Sequence, residues 1–393
     1  MDFNDSTSEA EFRGQVRTWL DTHAKGFMSP NDHADVDTFI AKAKAWQAKK
    51  AREGYAAIRW PKAEGGLDGT PMQEVIFQDE ESRHDVPVGP FVTIGTQLAV
   101  PTLRTHGTPE QIEQFTQPTL RGELLWCQLF SEPSAGSDLA NVRTRAVKDG
   151  DDWVINGQKV WTSWAHVADW GILLARTDPE ATKHKGLTFF VVDMRSVGVE
   201  VRPIQQVSGV SEFNEVFLTD LRIPDRYRVG AVGDGWKCAM TTLMNERVNV
   251  GGESQALPNV LELIERAQDR STGASLDRFK MAQLLTQEMG LRYFRFRLLT
   301  SLSKGETPGP IVAMSKLVYA NTLQELSAMA LDVTGLPGLQ AEGDKFQHGY
   351  EWAAALRIAG GTDEILRNQI AERVLGMPGE IRVDKNIPFS QCR

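Results

Sequence analysis

The sequence predicts a mainly α-helical protein with a β-rich region in its middle. Residues 9–123 carry apolar side chains at helical spacing in Ala-, Lys- and Glu-rich stretches, and the same kind of pattern returns from Gly235 onward. Between them, short apolar runs are separated by turn-forming pairs, which is typical of strands. We therefore expect three domains, at residues 1–124, 125–232 and 233–393.

The first domain is predicted to be helical by apolar residues that recur in polar stretches, among them Leu20, Phe39, Trp46 and Ile76. Within it, Thr108–Gln111 has the pattern of a helix start. A hydroxyl residue precedes a proline, and the glutamine three positions later is able to bond back to the chain. We expect a helix to begin there.

In the middle domain, the clearest pattern runs through Trp153–Ile155, Asn156-Gly157 and Gln158–Trp161. Because Asn-Gly accepts the positive φ angles of a type I′ turn, this pattern predicts a hairpin with its turn at that pair. Leu187–Val192 and Phe213–Leu218 are predicted as further strands, the first of them buried.

Turn-forming residues divide the remaining chain. In the middle domain they are Asp149-Gly150 and Ile223–Asp225. In the last domain, Thr307–Pro310 and Gly335–Gly338 separate Ala/Leu/Glu/Arg-rich segments. We expect these segments to be long helices.

The composition is that of an ordinary globular protein, since 41% of the 393 residues are hydrophobic and 24% are charged. The formal net charge of -9 argues against nucleic acid as the main partner, because nucleic-acid-binding proteins usually carry a basic patch. No apolar run approaches the roughly 20 residues that cross a bilayer, so no membrane association is expected.

The three cysteines lack the spacing of a disulfide framework, and no histidines pair at metal-ligand spacing. We therefore expect no metal site and a reducing compartment. The N-terminus lacks a basic segment followed by an apolar one. No signal peptide is expected, and the cytoplasm is the predicted location.

Two short segments carry the chemistry. Leu129–Asp138 packs hydroxyls and small residues into a loop that can approach a polar ligand, and Trp161–Ser163 places a large flat ring beside another hydroxyl. With two further segments, they resemble in order and spacing the motifs of the acyl-CoA dehydrogenase family. One is an N-terminal landmark made of Gly54, Trp60-Pro61 and Gly65-Gly66, and the other is the C-terminal block Gly361–Gly376.

This resemblance covers nearly the whole chain. It implies an N-terminal α-helical domain, a middle β-barrel and a C-terminal four-helix bundle. It also implies FAD as the cofactor and the oxidation of an acyl-CoA thioester to a trans-2-enoyl-CoA. Electrons would pass to an electron-transfer flavoprotein. The implied assembly is a tetramer, either four copies or two pairs of different chains (α2β2).

Carried over position by position, the resemblance implies that Gln128, Phe130 and Ser131 lie along the flavin edge. Trp161 would stack on the ring face away from substrate, and Ser163 would reach the N5/O4 edge. Hydrogen-bond donors at that edge stabilise the charge that arrives with a hydride. The residues by themselves leave other roles open: Ser131 as a turn hydroxyl and Trp161 as a core aromatic.

Three more residues match family contacts. Ser137 corresponds to a position that touches the pantetheine of acyl-CoA, while Thr362 and Glu364 resemble the pair at the FAD phosphate and adenosine. Each also has a local explanation: Ser137 suits a turn or helix cap, and Thr362 and Glu364 suit the first turn of a helix.

The reaction needs a general base that removes the α-proton of the thioester. Many family members carry a glutamate just before the Gly-Thr of the last motif, where this chain has Gly360. Glu246 falls instead on the base position of the branch that resembles isovaleryl-CoA dehydrogenase, and Arg247 matches an arginine beside the active site. The alternative is that both are ordinary residues of a helix surface.

The resemblance also implies that the backbone N–H at position 360 helps to hold the thioester carbonyl; Gly360 keeps that donor, and its missing side chain would enlarge the acyl pocket. That predicts a branched or bulky acyl group. Trp164 stands where the family often has asparagine, and its larger side chain would reduce the space for the acyl group.

Two family motifs that contact a neighbouring subunit's FAD are altered, one within Arg266–Phe279 and one at Asp332–Gly338. The chain therefore either holds the adenosine end differently or is a partner subunit, without catalysis of its own, in a heteromeric enzyme. Oxidases, monooxygenases and desulfinases of the same architecture are the remaining alternative.

Overall fold

The structure is a computed structural model, and it describes residues 5–29, 35–87, 89, 91–249, 257–268, 277–304, 309–335, 344–384 and 386–392. Within these ranges, the side chains that are not described belong to residues 91–93, 246–249, 299, 302 and 303.

The α-helices follow the predicted distribution, five before the sheet and six after it among the described residues. They are α1 (Thr7–His23), α2 (Val36–Arg52), α3 (Pro71–Glu81), α4 (Val100–His106), α5 (Pro109–Leu120), α6 (Gly235–Asn249), α7 (Val260–Gln268), α8 (Arg278–Ser303), α9 (Ala313–Thr334), α10 (Lys345–Leu356) and α11 (Asp363–Arg373). A π-helical stretch, Phe91–Ala99, leads into α4.

The strands are β1 (Trp126–Leu129), β2 (Arg145–Asp149), β3 (Asp152–Ser163), β4 (Trp170–Arg176), β5 (Leu187–Asp193), β6 (Val199–Pro203), β7 (Phe213–Pro224) and β8 (Arg228–Val229). They form one sheet in the order β6-β7-β3-β2-β4-β5-β8, with β1 parallel to β4. The mainly helical fold class with a central β region is therefore confirmed.

The chain packs as two compact units. The sheet unit combines Met28–Asp68, Val86–Glu246 and Glu380–Arg393. The helical unit combines Met1–Phe27, Gly69–Asp85 and Arg247–Gly379. The three domain boundaries expected from the sequence remain a prediction.

Four helices of the helical unit share an apolar core. Helices α7, α8, α9 and α10 each contribute to one cluster of buried side chains, which includes Leu263, Leu284, Leu326 and Phe346. In the sequence, the predicted breaks Thr307–Pro310 and Gly335–Gly338 fall between α8 and α9 and between α9 and α10.

Strand β5 is buried on both faces, which explains its uninterrupted apolar run. Phe189 and Val191 pack with helical residues such as Phe115, while Phe190 and Val192 pack into a second cluster on the other face. Side chains alternate between faces along a strand, so both sets must be apolar when both faces are covered. The predicted strands at 187–192 and 213–218 are confirmed.

The predicted helix start at Thr108 is also confirmed. The Thr108 hydroxyl accepts a hydrogen bond from the Gln111 N–H at 3.3 Å, and the Gln111 side chain accepts from the Thr108 N–H at 3.0 Å. This reciprocal pair satisfies two N–H groups that an uncapped helix leaves without partners.

The predicted hairpin at Asn156-Gly157 is wrong. Both residues lie inside the continuous strand β3, and the turn that precedes it lies at Gly150, whose φ is +59°. Gly157 does not have a positive φ, so turn geometry does not explain the glycine. Space does: an added Cβ would lie 2.7 Å from the Cα of Thr144. Close packing of two chain segments, not turn geometry, explains the glycine.

We expect Gly157→Ala to lower the free energy of unfolding by about 1–3 kcal/mol, because the methyl group overpacks against Thr144. Urea titration followed by tryptophan fluorescence measures the change. The control is Gly14→Ala in α1, where an added Cβ meets nothing within 4 Å and where alanine favours the helix. A Gly157→Ala protein as stable as the parent would contradict the packing explanation.

Candidate functional site

The two segments singled out by the sequence meet at the end of β3. The Val160 N–H donates a hydrogen bond to the Ser131 carbonyl at 2.9 Å. A β-bulge makes this possible, because Val160 and Trp161 together lie opposite the single residue Glu215 of β7. The bulge releases the Val160 N–H from the strand ladder and joins the Ser131 loop to the bulged strand.

A buried ion pair fixes the same junction. The side chain of Lys159 is completely buried, and its ammonium donates to the Glu132 carboxylate at 2.9 Å. It also donates to the carbonyl oxygens of Phe130 at 3.0 Å and Leu174 at 2.8 Å. Because an ammonium has three hydrogens, all of its donors are used.

The Glu132 carboxylate is equally well satisfied. It also accepts hydrogen bonds from the N–H groups of Arg143 at 2.6 Å and Thr144 at 2.8 Å. Burial by itself raises the pKa of Glu132, but the Lys159 charge and the hydrogen bonds outweigh it and hold the pKa below its ordinary value. The backbone of Glu132 pairs with that of Ala135 in both directions at 3.0 Å, which closes the loop.

Trp161 presents its indole to solvent. The side chain is 61% exposed, and the residue has a φ of +58°, a left-handed conformation that is unusual for a bulky residue. Its ring contacts that of Phe213 edge-on, with centroids 6.2 Å apart. The core-aromatic alternative for Trp161 is therefore wrong, and a strained, exposed indole suits a flat ligand that covers it.

Ser163 lies two residues beyond Trp161 in β3, and the Ser131 carbonyl is hydrogen-bonded to the preceding residue, Val160. Ser131 and Ser163 are half-buried, and neither hydroxyl has a hydrogen-bond partner in the part of the chain that the structure describes. The Thr162 side chain between Trp161 and Ser163 is buried. Two free hydroxyls near an exposed ring can hydrogen-bond the polar edge of a flat ligand.

Gln128 and Phe130 lie on the approach to the loop. Phe130 is buried, and its ring packs edge-to-face on Phe189 with centroids 5.8 Å apart, so it has only its backbone to offer a ligand. Gln128 is half-buried in β1, where it pairs with Ile172 of β4.

Ser137 lies at the far end of the same loop. It is exposed, and the residue at the start of the following helical turn is Asp138, so Ser137 is not the helix cap. The Asp138 carboxylate forms an ion pair with Lys183 at 2.5 Å. The neighbour of Ser137 is thus held by a charged contact while Ser137 itself stays accessible.

Gly360, Thr362 and Glu364 belong to the helical unit. Gly360 and Gly361 have φ angles of +65° and +96°, and Thr362 is the N-cap of α11 through a bond from the Ile365 N–H at 3.3 Å. The local cap role of Thr362 is therefore confirmed, and Glu364 is exposed in the first turn. A glutamate at position 360 would be strained, because a positive φ suits glycine.

Asp363 holds this glycine turn in place. Its buried carboxylate accepts hydrogen bonds from Arg357 at 2.8 Å and Asn321 at 3.1 Å. The Lys316 ammonium donates to the Gly361 carbonyl at 2.7 Å. These contacts hold the backbone at the start of α11 from two sides. A backbone N–H in a fixed turn, such as that of Gly360, is well placed to donate a hydrogen bond to a ligand.

Glu246 and Arg247 lie in α6, as the helical pattern requires. Their side chains lie outside the described part of the structure, so their roles as base and active-site arginine remain predictions. Residues 269–276 of the altered segment Arg266–Phe279 and residues 336–338 of the altered segment Asp332–Gly338 also lie outside the described residues.

Sequence reasoning missed the groups that fix the site, above all Lys159 and Glu132. No clear signal marked this lysine, because β3 also carries other polar residues such as Gln158 and Thr162. It also missed the strain at Trp164, whose φ is +57° and whose N–H donates to the Glu212 carbonyl at 2.8 Å. Burial raises the pKa of the Glu212 carboxyl.

Neither a metal cluster nor a membrane span emerges from the described residues. Among them, no three His, Cys, Asp or Glu side chains group as metal ligands. No helix within the described ranges is both long enough and apolar enough to cross a bilayer.

Three family models match consecutive parts of the chain. Their descriptions are acyl-CoA dehydrogenase, N-terminal domain, for residues 6–123; middle domain, for residues 127–221; and C-terminal domain, for residues 233–375. Together they match well over half of the chain.

Individual proteins agree with these matches. The chain is 40% identical to acyl-CoA dehydrogenase IpdE1 of Mycobacterium tuberculosis strain H37Rv, over 95% of this chain and 98% of that protein. The solved structure Tcur3481-Tcur3483 steroid ACAD is 26% identical with a TM-score of 0.82, covering 97% of this chain and all of that one. The ChsE4-ChsE5 complex from Mycobacterium tuberculosis is 27% identical with a TM-score of 0.80 and the same coverage.

We expect Lys159→Met to lower the free energy of unfolding by about 3–5 kcal/mol, because it leaves the buried Glu132 carboxylate without its counter-charge. Urea titration measures the loss. The matched control is Lys148→Met, which removes an exposed pair with Asp225 and should cost less than about 1 kcal/mol. Equal losses in the two variants would contradict a structural role for the buried pair.

The Glu132 carboxylate should also give stability a pH dependence. Because its pKa is lower in the folded protein than the ordinary value of 4.5, its contribution is present above that value. It is lost as the pH falls through the folded pKa. Stability measured from pH 6 downward should decline less steeply in Glu132→Gln than in the parent, and parallel curves would exclude Glu132 as a source of the acid sensitivity.

Proposed function

Because this chain belongs to the acyl-CoA dehydrogenase family, we propose that it uses FAD to convert an acyl-CoA thioester into the trans-2-enoyl-CoA. The observation that carries the proposal is the exposed Trp161 indole on a bulged strand, joined to the Ser131 loop. An exposed aromatic face with two unpaired hydroxyls nearby fits the face and polar edge of a flavin ring.

When bound, FAD would supply the hydride-accepting chemistry that this oxidation requires. Trp161 would cover one ring face, and the Ser131 and Ser163 hydroxyls would donate hydrogen bonds to the polar edge of the ring. Gln128 and the backbone of Phe130 would complete that edge. At the other end of the cofactor, Thr362 and Glu364 are proposed for the phosphate and adenosine.

The proton is proposed to go to Glu246. Its carboxylate would take the α-proton of the thioester, with Arg247 beside it, as in the branch that includes isovaleryl-CoA dehydrogenase. The Gly360 N–H would hydrogen-bond the thioester carbonyl and stabilise the charge that develops there. The positive φ of Gly360 supports this division of roles, because that backbone disfavours a glutamate side chain.

We propose a bulky acyl group as the substrate. Gly360 has no side chain at the position where many family members carry the glutamate base, and the solved structure Tcur3481-Tcur3483 is named a steroid ACAD. A steroid-derived acyl-CoA is therefore the favoured substrate class. Electron-transfer flavoprotein is the proposed electron acceptor.

A second, different chain is proposed as the assembly partner. Both solved structures named above are pairs of differently named chains. The altered segments that normally contact a neighbour's FAD favour the same conclusion. Native mass spectrometry of the assembled enzyme should then show an α2β2 tetramer, and four identical chains with full flavin content would contradict it.

The test of the reaction is anaerobic bleaching of the flavin. The assembled enzyme, titrated with straight-chain, branched and steroid-derived acyl-CoAs, should lose its yellow absorbance with at least one bulky substrate. Glu246→Gln should keep the colour and slow bleaching by about 10³-fold or more, because the general base is lost.

The matched control is Glu265→Gln, on an exposed face of α7, which should bleach at the parent rate. Bleaching of Glu246→Gln at the parent rate would remove Glu246 from its role. Peroxide formation in air without an added acceptor would indicate an oxidase, and sulfite release would indicate a desulfinase.

A further inference from the structure

The C-terminal segment, residues 386–392, adds a short stretch of backbone pairing to the sheet unit. The Phe389 N–H donates to the Ala181 carbonyl at 2.9 Å, and the Ser390 N–H donates to the Pro179 carbonyl at 2.8 Å. Both acceptors lie in the loop between β4 and β5. The segment therefore lies along that loop through backbone bonds, independently of side-chain chemistry.

Arg176 connects this segment to the loop that carries Ser137. Its buried guanidinium lies 3.7 Å from the centroid of the Phe389 ring. It donates to the carbonyl oxygens of Ala140 at 2.6 Å and Lys183 at 2.8 Å. Burial lowers the pKa of Arg176 to about 10 because it withdraws the guanidinium from water. The aromatic ring and the carbonyl groups stabilise the charge in place of water.

Lys183 forms ion pairs with both the Ser137 loop and the end of the chain. Its side chain is 8% exposed, and its ammonium donates to Asp138 at 2.5 Å and to Asp384 just before the C-terminal segment. Burial lowers the pKa of Lys183, but the bonds to the two carboxylates outweigh it and hold the pKa above its ordinary value. One ammonium thus separates two carboxylates that would otherwise repel each other.

We propose that Lys183, together with Asp384, is a positioning residue for the acyl-CoA contact at Ser137. Asp138 follows Ser137 directly, so its carboxylate fixes the end of the loop on which Ser137 lies. Without Lys183, the repulsion between Asp138 and Asp384 displaces this end. The inference rests on the proposed function, in which Ser137 contacts the pantetheine of the substrate.

The test uses the assembled, FAD-containing enzyme with coenzyme A itself as the probe, so that the acyl group plays no part. We expect Lys183→Met to raise the Kd for coenzyme A, measured by calorimetry, about 5- to 10-fold, because displacement of a binding group weakens its contacts. Amide hydrogen exchange in residues 133–142 should become faster. Lys183→Arg should restore both values, since it keeps the charge.

Lys148→Met is again the matched control, because it removes an exposed lysine of the same sheet. It should leave coenzyme A binding and hydrogen exchange unchanged. The flavin absorbance spectrum should be the same in all variants. Asp384→Asn should show a smaller effect than Lys183→Met, since it leaves the Lys183–Asp138 pair in place.

The outcomes separate the two proposals. Failure of the unaltered enzyme to bind coenzyme A would overturn the proposed function, and this inference with it. If the unaltered enzyme binds and Lys183→Met binds equally well with unchanged exchange, the positioning role alone is overturned. Equal weakening in Lys183→Met and Lys148→Met would overturn it as well, because the effect would not be specific to the contact.

Discussion

The ammonium of Lys159 is the contact on which the arrangement of the site depends. It brings together the Glu132 loop, the end of β3 and the Leu174 carbonyl of β4, at three hydrogen-bonding positions and without access to water. A buried charge is tolerated only when its partners are complete, and here both members of the pair are satisfied. The pair contributes geometry more than net stability, since apolar residues of similar volume often stabilise a core equally well.

That fixed geometry allows strain next to it. Trp161 and Trp164 both adopt left-handed backbone conformations, which cost on the order of 1–3 kcal/mol each at a bulky residue. The bulge that exposes Trp161 persists because Val160 is bonded to Ser131, whose loop is held by the ion pair. The free energy gained in packing the sheet thus maintains an exposed indole where a flat ligand can lie.

At the start of α11, too, polar side chains hold an unusual backbone conformation in place. Two glycines with positive φ turn the backbone, and Lys316 and Asp363 hold the turn from the helical unit's own interior. The positive φ at Gly360 favours glycine, and glycine offers no carboxylate there. In the proposed reaction the general base is therefore expected on another element, and Glu246 on α6 is the proposed residue.

The amino-acid sequence by itself determined the features that depend on neighbours in the chain. These include the helix cap at Thr108, the apolar strand at 187–192, the order of helices and strands, and the motifs that identify the family. It failed at Asn156-Gly157, where a local turn preference was overridden by packing on Thr144. Only the tertiary structure decided the exposure of Trp161 and the pairing of Lys183 with Asp384, 201 positions apart. Such contacts depend on how distant segments fold together, and local periodicity carries no information about them.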